Sequence, residues 1–260
     1  MTIVEEVQTD IPAGSAVLRA IRILEVLSEH DRPPQLAEIA HSVGLPKPTV
    51  LRILGTLEHA GIVAREPDTK RYGFAERLNR FAGQVLLGSP SRSSRRAILE
   101  ELVEEVGETC NLTIPNGNSV LYLDRVETAW PLRIQLGAGS RVPLYASASG
   151  KIFLAAMPKR SRDRFLTHTP LISHTANTLT DAKRLNTEFN AIRERGYSID
   201  NEEYLPGICC IAVPVRNADG KVVAGLAVQA LMTRMRPEQG LEYLSALRQA
   251  AEAITATIDW

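Results

Sequence analysis

The feature that most constrains this chain is a set of three short apolar stripes at helical spacing, each cut off sharply, followed by two β-prone arms. Val17, Ile21, Leu24 and Leu27 make the first stripe, which predicts an amphipathic helix over residues 15–29. His30-Asp31-Arg32-Pro33-Pro34 ends it, because consecutive prolines remove backbone donors and restrict the residue before them. Leu36, Ile39, Ala40 and Val43 form the second stripe, closed by Gly44. Val50, Ile53, Leu54 and Leu57 form the third, on a helix that begins near Pro46 and runs to about Ala60. Proline is tolerated there because the first N–H groups of a helix have no internal partner. Residues 61–66 and 70–74 then flank Pro67-Asp68-Thr69, turn chemistry between short arms, which predicts a hairpin. Two helices around a glycine turn make a helix-turn-helix; the hairpin extends that order to a winged helix.

The third helix carries polar residues where a DNA reader needs them. Lys47, Thr49, Arg52 and Thr56 point away from the apolar face, free for phosphates and base edges. Leu51 also faces outward, in reach of a thymine methyl. On the hairpin, Arg65, Lys70 and Arg71 are placed to grip the flanking backbone of the duplex. Lys+Arg and Asp+Glu both number 30, and this neutrality argues mildly against nucleic-acid binding, yet it leaves room for a local basic face.

The whole chain, 260 residues and 44% hydrophobic, has length enough for two domains with separate cores. Residues 1–14 read as a disordered N-terminus, 15–76 as the winged helix-turn-helix and 77–95 as a linker helix and hinge, leaving 96–260 for a larger domain. The acidic first ten residues do not resemble a secretory signal, and no apolar run approaches the roughly 18 residues of a spanning helix. Three cysteines, Cys110, Cys209 and Cys210, do not make a disulfide framework. These features point to a cytoplasmic protein without membrane association.

In the larger domain, Ile98, Leu102 and Val106 mark a helix, and residues 110–114 and 120–126 bracket the hairpin signal Pro115-Asn116-Gly117-Asn118. Asp181 is positioned to cap a helix over 182–195, with Gly196 ending it. Residues 208–215 and 222–229 pair around Asp219-Gly220. This succession predicts an α+β fold, an antiparallel sheet with helices packed on it. Ala148-Ser149-Gly150, ahead of a helix over 151–157, is a small-residue approach to a helix start, where free N–H groups favour an anion such as a carboxylate.

A family resemblance now becomes specific. Ser15-Ala16-Val17, the stretch Gly44-Leu45-Pro46-Lys47-Pro48-Thr49-Val50-Leu51-Arg52-Ile53-Leu54 and Leu57-Glu58-His59-Ala60-Gly61 resemble the N-terminal domain of the IclR family of transcriptional regulators. The likeness continues through Val120-Leu121-Tyr122-Leu123-Asp124-Arg125-Val126-Glu127, Ala146-Ser147-Ala148-Ser149-Gly150-Lys151, His174-Thr175-Ala176-Asn177-Thr178-Leu179-Thr180-Asp181 and residues 195–204, in matching order. Pro48 stands where that family usually has serine and Leu51 where an aromatic or histidine is common, differences that bear on operator choice. The resemblance implies a GAF-like effector domain, a palindromic double-stranded DNA operator, and homodimers joined through their N-terminal domains that often pair into tetramers. It implies no cofactor and no metal. It places Ala148, Ser149, Asp200, Ile208, Cys210, Ala227 and Gln229 around a small organic-acid effector. Ala227 and Gln229 replace residues that are serine in some relatives, which favours an acid larger or more apolar than a two- or three-carbon keto acid.

Two other readings are weighed against this one. Catalysis lacks its motifs: a phosphate loop ending in Gly150-Lys151 would need glycine at Tyr145 and Ser or Thr at Ile152, and Ser147 and Ser149 miss the Ser-x-x-Lys spacing to Lys151. His30, His41, His59, His168 and His174 show no metal spacing, and Asp200, Glu202 and Glu203 have no nucleophile beside them. A thiol sensor needs an accessible, acidified cysteine. Cys209 and Cys210, adjacent in a strand, point to opposite faces and read as packing residues, with Cys210 also lining the pocket.

Overall fold

A computed structural model of the chain describes residues 15–30, 32–87, 92–131 and 136–257. The expected disordered segment 1–14 lies outside the described residues, as do residues 88–91 of the expected linker and hinge. The chain divides into two compact units that meet between Phe81 and Ala82.

In the first unit, α1 (Ala16–Glu29), α2 (Leu36–Val43) and α3 (Lys47–His59) precede a hairpin of β1 (Val63–Arg65) and β2 (Tyr72–Phe74). Each helix begins and ends for a local reason. The Ser15 hydroxyl accepts from the Leu18 N–H at 3.4 Å. Gly44, at φ 66°, closes α2 with paired bonds from its own N–H to His41 and from the Leu45 N–H to Ala40. The core joins Ile23, Val26 and Leu27 of α1 to Ile39, Val50, Ile53, Leu54, Val63 and Tyr72. Only the second half of the expected α1 stripe is buried: Leu27 lies in the core and Leu24 packs against it, whereas Val17 is 68% exposed and Ile21 45%, because packing against α2 and α3 draws in Ile23 and Val26 instead. The helix α4 (Glu76–Leu87) follows β2, and an Arg77 guanidinium nitrogen donates to the Ala60 carbonyl at 2.7 Å.

The second unit opens with α5 (Arg92–Val106) and the hairpin β3 (Thr109–Asn116)–β4 (Ser119–Val126). Its turn is Gly117-Asn118, with Asn116 paired to Ser119, so the turn lies one residue later than an Asn116-Gly117 turn would, and glycine at φ 58° takes its first central position rather than the second. There follow β5 (Arg141–Pro143), α6 (Ala148–Ala156), α7 (Lys159–His168), α8 (Ala182–Arg195), β6 (Ser198–Asn201), β7 (Ile208–Arg216) and β8 (Val222–Leu231). The short α9 (Pro237–Gly240) and α10 (Leu244–Thr255) complete the described part. Among the described residues the six strands form one antiparallel sheet in the order β5-β4-β3-β8-β7-β6.

Both faces of this sheet are covered. Leu99 and Leu102 of α5 and Leu247 and Ile254 of α10 share a core with Cys110, Leu112, Cys209 and Val228 on one face. Phe153 of α6 and Leu185 and Phe189 of α8 share the other with Tyr122, Cys210, Ala212 and Ala227. Each such aliphatic or aromatic side chain contributes about 1.5–3 kcal/mol by leaving water. The neighbours Cys209 and Cys210 thus serve opposite cores, as strand alternation requires.

Helix α6 starts at Ala148, three residues before the position expected, so Ala148, Ser149 and Gly150 are its first turn. Its close seat depends on Gly150, where a Cβ would lie 2.1 Å from the Leu144 carbonyl oxygen and 2.5 Å from its Cα. Those atoms are backbone and cannot step aside. Gly150→Ala is expected to cost about 3 kcal/mol and to lower the melting midpoint clearly. A midpoint within a degree of wild type would contradict this packing.

Candidate functional site

The exposed surface of α3 is built by its own burial pattern. Val50, Ile53 and Leu54 are buried, so Lys47, Pro48, Leu51, Arg52 and Thr56 are left exposed, with Thr49 half-buried. Leu51 is 47% exposed, unusual for a leucine with a core beside it. The Thr56 hydroxyl donates back to the Arg52 carbonyl at 3.1 Å.

On the hairpin, Arg65 and Lys70 are exposed. The Arg65 guanidinium lies 5.5 Å from the centre of the Tyr72 ring, and Lys70 marks the turn with φ 56°. Arg71 does something else. Its guanidinium donates to the Pro33 carbonyl at 2.8 Å and meets Glu38 at 3.3 Å, while Arg32 meets the same carboxylate at 2.9 Å. The Gln35 N–H, helped by Arg32 and Arg71, holds the Glu38 carboxyl below its ordinary range. Arg71, expected to face DNA, fastens the hairpin to α2 instead. The partner that claims it, Glu38, sits in the Gln35–Glu38 capping box.

The second site is a cavity between the inner face of the sheet and the start of α6. All seven residues expected around an effector line it: Ala148 and Ser149 from α6, Asp200 from β6, Ile208 and Cys210 from β7, and Ala227 and Gln229 from β8. Strand register explains the grouping, because Asp200 pairs with Cys210 and Cys210 pairs with Gln229 across three neighbouring strands. Gly225 lets α6 approach β8, since a Cβ there would lie 3.0 Å from the Ser149 side chain. The enclosed space is about 20 Å³, room for about one water molecule. Leu136, Tyr204 and Leu205 line it from loops rather than from strand or helix.

Sequence reasoning missed the residues that set the polarity of this cavity. Asn111 and Thr113 of β3 and Tyr122 of β4 also line it. Behind them Arg125, its side chain only 3% exposed, donates from one nitrogen to Asn111 Oδ1 and Gln229 Oε1, each at 2.8 Å. With both amide oxygens engaged by a cation, the amide N–H groups remain as the donors of that wall. The available signal was the alternation Cys110-Asn111-Leu112-Thr113-Ile114, polar at every second place in a buried strand.

Asp200 gives the cavity a titratable acid. Burial, reinforced by the nearby Glu203 carboxyl, pushes it up to about 7, against the opposing charge of Lys151. The Glu203 N–H donates to Asp200 Oδ1 at 2.7 Å, and the buried Lys151 amine donates to the Ile199 carbonyl at 2.5 Å and to the Glu203 carboxylate. The cysteines are free and buried. Burial raises all three thiols, Cys209 to about 12, which is the opposite of what a thiol sensor needs.

With this geometry in place, comparison with known proteins identifies both units. Residues 16–67 match the IclR helix-turn-helix domain, and residues 84–256 match the C-terminal domain of bacterial IclR transcriptional regulators. The chain is 43% identical over 245 residues to a probable transcriptional regulator, SauR, of Cupriavidus necator, covering 94% of this chain and 97% of that one. It superposes on the crystal structure of Thermotoga maritima IclR with a TM-score of 0.63 at 30% identity, covering 94% and 98% of the two chains. An IclR homologue from Microbacterium hydrocarbonoxydans, crystallised in complex with 4-hydroxybenzoate, gives a TM-score of 0.59 at 25% identity, covering 94% and 98%. A helix-turn-helix matched over residues 16–67, followed by an α+β effector domain matched over 84–256, places the chain in the IclR family of transcriptional regulators.

Proposed function

We propose that this regulator binds a palindromic operator as a homo-oligomer in the cytoplasm, and that a small organic acid held in the sheet–α6 cavity modulates that binding. In this reading, residues 15–76 contact DNA, 77–95 connect, and 96–260 sense the acid. The observation that carries it is the arrangement around Arg125, which engages the amide oxygens of Asn111 and Gln229 and leaves their N–H groups as donors in a cavity that the first turn of α6 also lines. A carboxylate fits donors of this kind. An apolar part of the lining, Val120, Val142, Ile208 and Ala227, suits a ring or chain larger than a short keto acid. The 4-hydroxybenzoate complex of the Microbacterium homologue supports that class of ligand. Because the enclosed space is small, admission requires Leu136, Tyr204 and Leu205 to move outward, and that displacement is what distinguishes the bound state energetically.

Reading of the operator falls to α3. Lys47, Thr49, Leu51, Arg52 and Thr56 supply one surface, Pro48 fills its first turn, and Arg65 and Lys70 reach the flanking phosphates. The half-sites of a palindrome require two copies, and Val17 and Ile21 of α1 and Phe81 and Val85 of α4 are exposed apolar side chains of the kind a second copy covers.

Three measurements test this reading. Arg52→Ala should weaken binding to a duplex selected from a random pool by ~1–3 kcal/mol if the side chain contacts a base; unchanged affinity in a gel-shift removes Arg52 from the interface. The pair Val17→Asp and Ile21→Asp should shift the sedimentation of the full chain toward monomer, and an unshifted profile would place the oligomer contact elsewhere. In a thermal-shift panel, aromatic and medium-chain acids should stabilise the protein more than pyruvate or glyoxylate do, and more at pH 6 than at pH 8. The sign follows from Asp200: below about 7 its carboxyl is protonated, which removes a like charge from the cavity and supplies a donor. Asp200→Asn should flatten that pH dependence. Stabilisation by short keto acids alone would overturn the ligand class.

A further inference from the structure

A second concavity lies at the other end of α6, between the last turn of that helix, the C-terminal half of α8 and the β7–β8 hairpin. It encloses about 650 Å³, within the roughly 300–1,000 Å³ range of small-molecule sites. Its floor is apolar, formed by Phe153, Ile192 and Val222 among others. Four cations stand around it, Arg162, Arg193, Arg216 and Lys221, and no carboxylate lines it. In a chain whose charges balance, that is a marked concentration of one sign.

Capping of α6 explains only part of this set. Arg193 donates to the Ala155 carbonyl at 2.9 Å and Arg162 to the Met157 carbonyl at 3.1 Å, as cations do at a helix C-terminus. Arg216 donates to Gly220 within its own hairpin, and neither it nor Lys221 reaches α6 by a hydrogen bond. Arg162 is 93% buried over the face of Phe189, and the combination of burial and the neighbouring Arg193 pushes its guanidinium below the usual value. Like charges gathered around an apolar floor, one of them desolvated, are stabilised by an anion.

We infer that this groove is a second small-molecule site, taking an amphiphilic anion whose apolar body lies on Phe153, Ile192 and Val222 and whose carboxylate or phosphate meets the cationic rim. The site is separate from the sheet–α6 cavity but joined to it by two elements. Helix α6 runs from Ala148 and Ser149 in the cavity to Met157 in the groove. Gly196, at the end of α8, leads within four residues to Asp200. An anion bound in the groove therefore braces the helix that closes the first site; that coupling, unlike the binding itself, rests on the effector reading above.

The test is titration calorimetry of the full chain with octanoate, octyl phosphate and the uncharged octanamide. At least one anion should bind saturably, and octanamide at least tenfold more weakly; whichever head group binds more tightly identifies the carboxylate or the phosphate as the natural chemistry. Combined Arg193→Ala, Arg216→Ala and Lys221→Ala should weaken the anion at least tenfold, and Arg216→Ala alone, on an exposed hairpin, about threefold. Because a medium-chain acid also suits the first cavity, the titrations are made in parallel on Ala227→Leu, which fills that cavity; groove binding should persist there while any binding in the first cavity is lost, so failure here and failure of the effector reading are told apart. Absence of saturable binding, equal binding of octanamide, an unaffected Arg216→Ala protein, or loss of binding in Ala227→Leu would each overturn the second site.

Discussion

A guanidinium beneath a sheet is stable only where its donors are met, since an unpaired buried charge costs several kcal/mol. Arg125 satisfies this through the Asn111 and Gln229 side-chain oxygens, with Glu127 3.4 Å from its Nε. Much of the inner face follows from that bonding. It explains how two polar amides persist in a buried sheet, and it leaves their N–H groups, rather than their oxygens, to donate. The preceding residue does a complementary job on the opposite face. Asp124, almost wholly buried, faces Arg92 and Arg96 of α5 at 3.4 and 3.7 Å. One Asp-Arg dipeptide on β4 thus anchors the helix that enters the effector domain and organises the wall of its cavity.

The DNA-binding unit shows a similar economy. Six basic side chains precede α4 on the recognition helix, the hairpin and the turn before α2, but they do not share one role. Arg32 and Arg71 converge on Glu38, and this three-charge cluster joins the Pro33–Gln35 segment, α2 and the hairpin. Backbone pairing reinforces the joint, with the Tyr72 N–H donating to the Pro34 carbonyl at 2.9 Å. The prolines that break α1 therefore lead the chain into the hairpin's edge. Lys47, Arg52, Arg65 and Lys70 are left to face outward.

Legibility differed by kind of feature. Helix ends carried by side-chain chemistry were readable to the residue: Asp181 caps α8 through Arg184 at 2.8 Å, and Gly196 ends it at φ 75°. Long apolar strands bounded by turn residues were readable too, including the split of Cys209 from Cys210, which follows from the two-residue period of a strand. Strands β5 and β6 are three and four residues long, too short to display a period. Helix α7 is mostly charged and buries little beyond Arg162 and Phe165, while α10 buries alanines, whose weak pattern conceals its face. The seven cavity residues were legible through family likeness; the alternation around Asn111 put it on one face with Thr113, but which face lines the cavity, and that Arg125 joins Asn111 there, depends on partners distant along the chain.

The sequence by itself determined the ends of the capped helices, the positions of the long strands and the family they belong to, since capping, turn and periodicity are interactions among near neighbours. How far the apolar stripe of α1 is buried, which arginine of the hairpin is held by Glu38, and which amide oxygens Arg125 holds were decided only in the tertiary structure. Each of those depends on a partner that is distant along the chain: the packing of α2 and α3, a carboxylate 33 residues before Arg71, and an oxygen of Gln229 that lies 104 residues beyond Arg125. Local chemistry sets the ends of the elements; long-range pairing assigns their side chains.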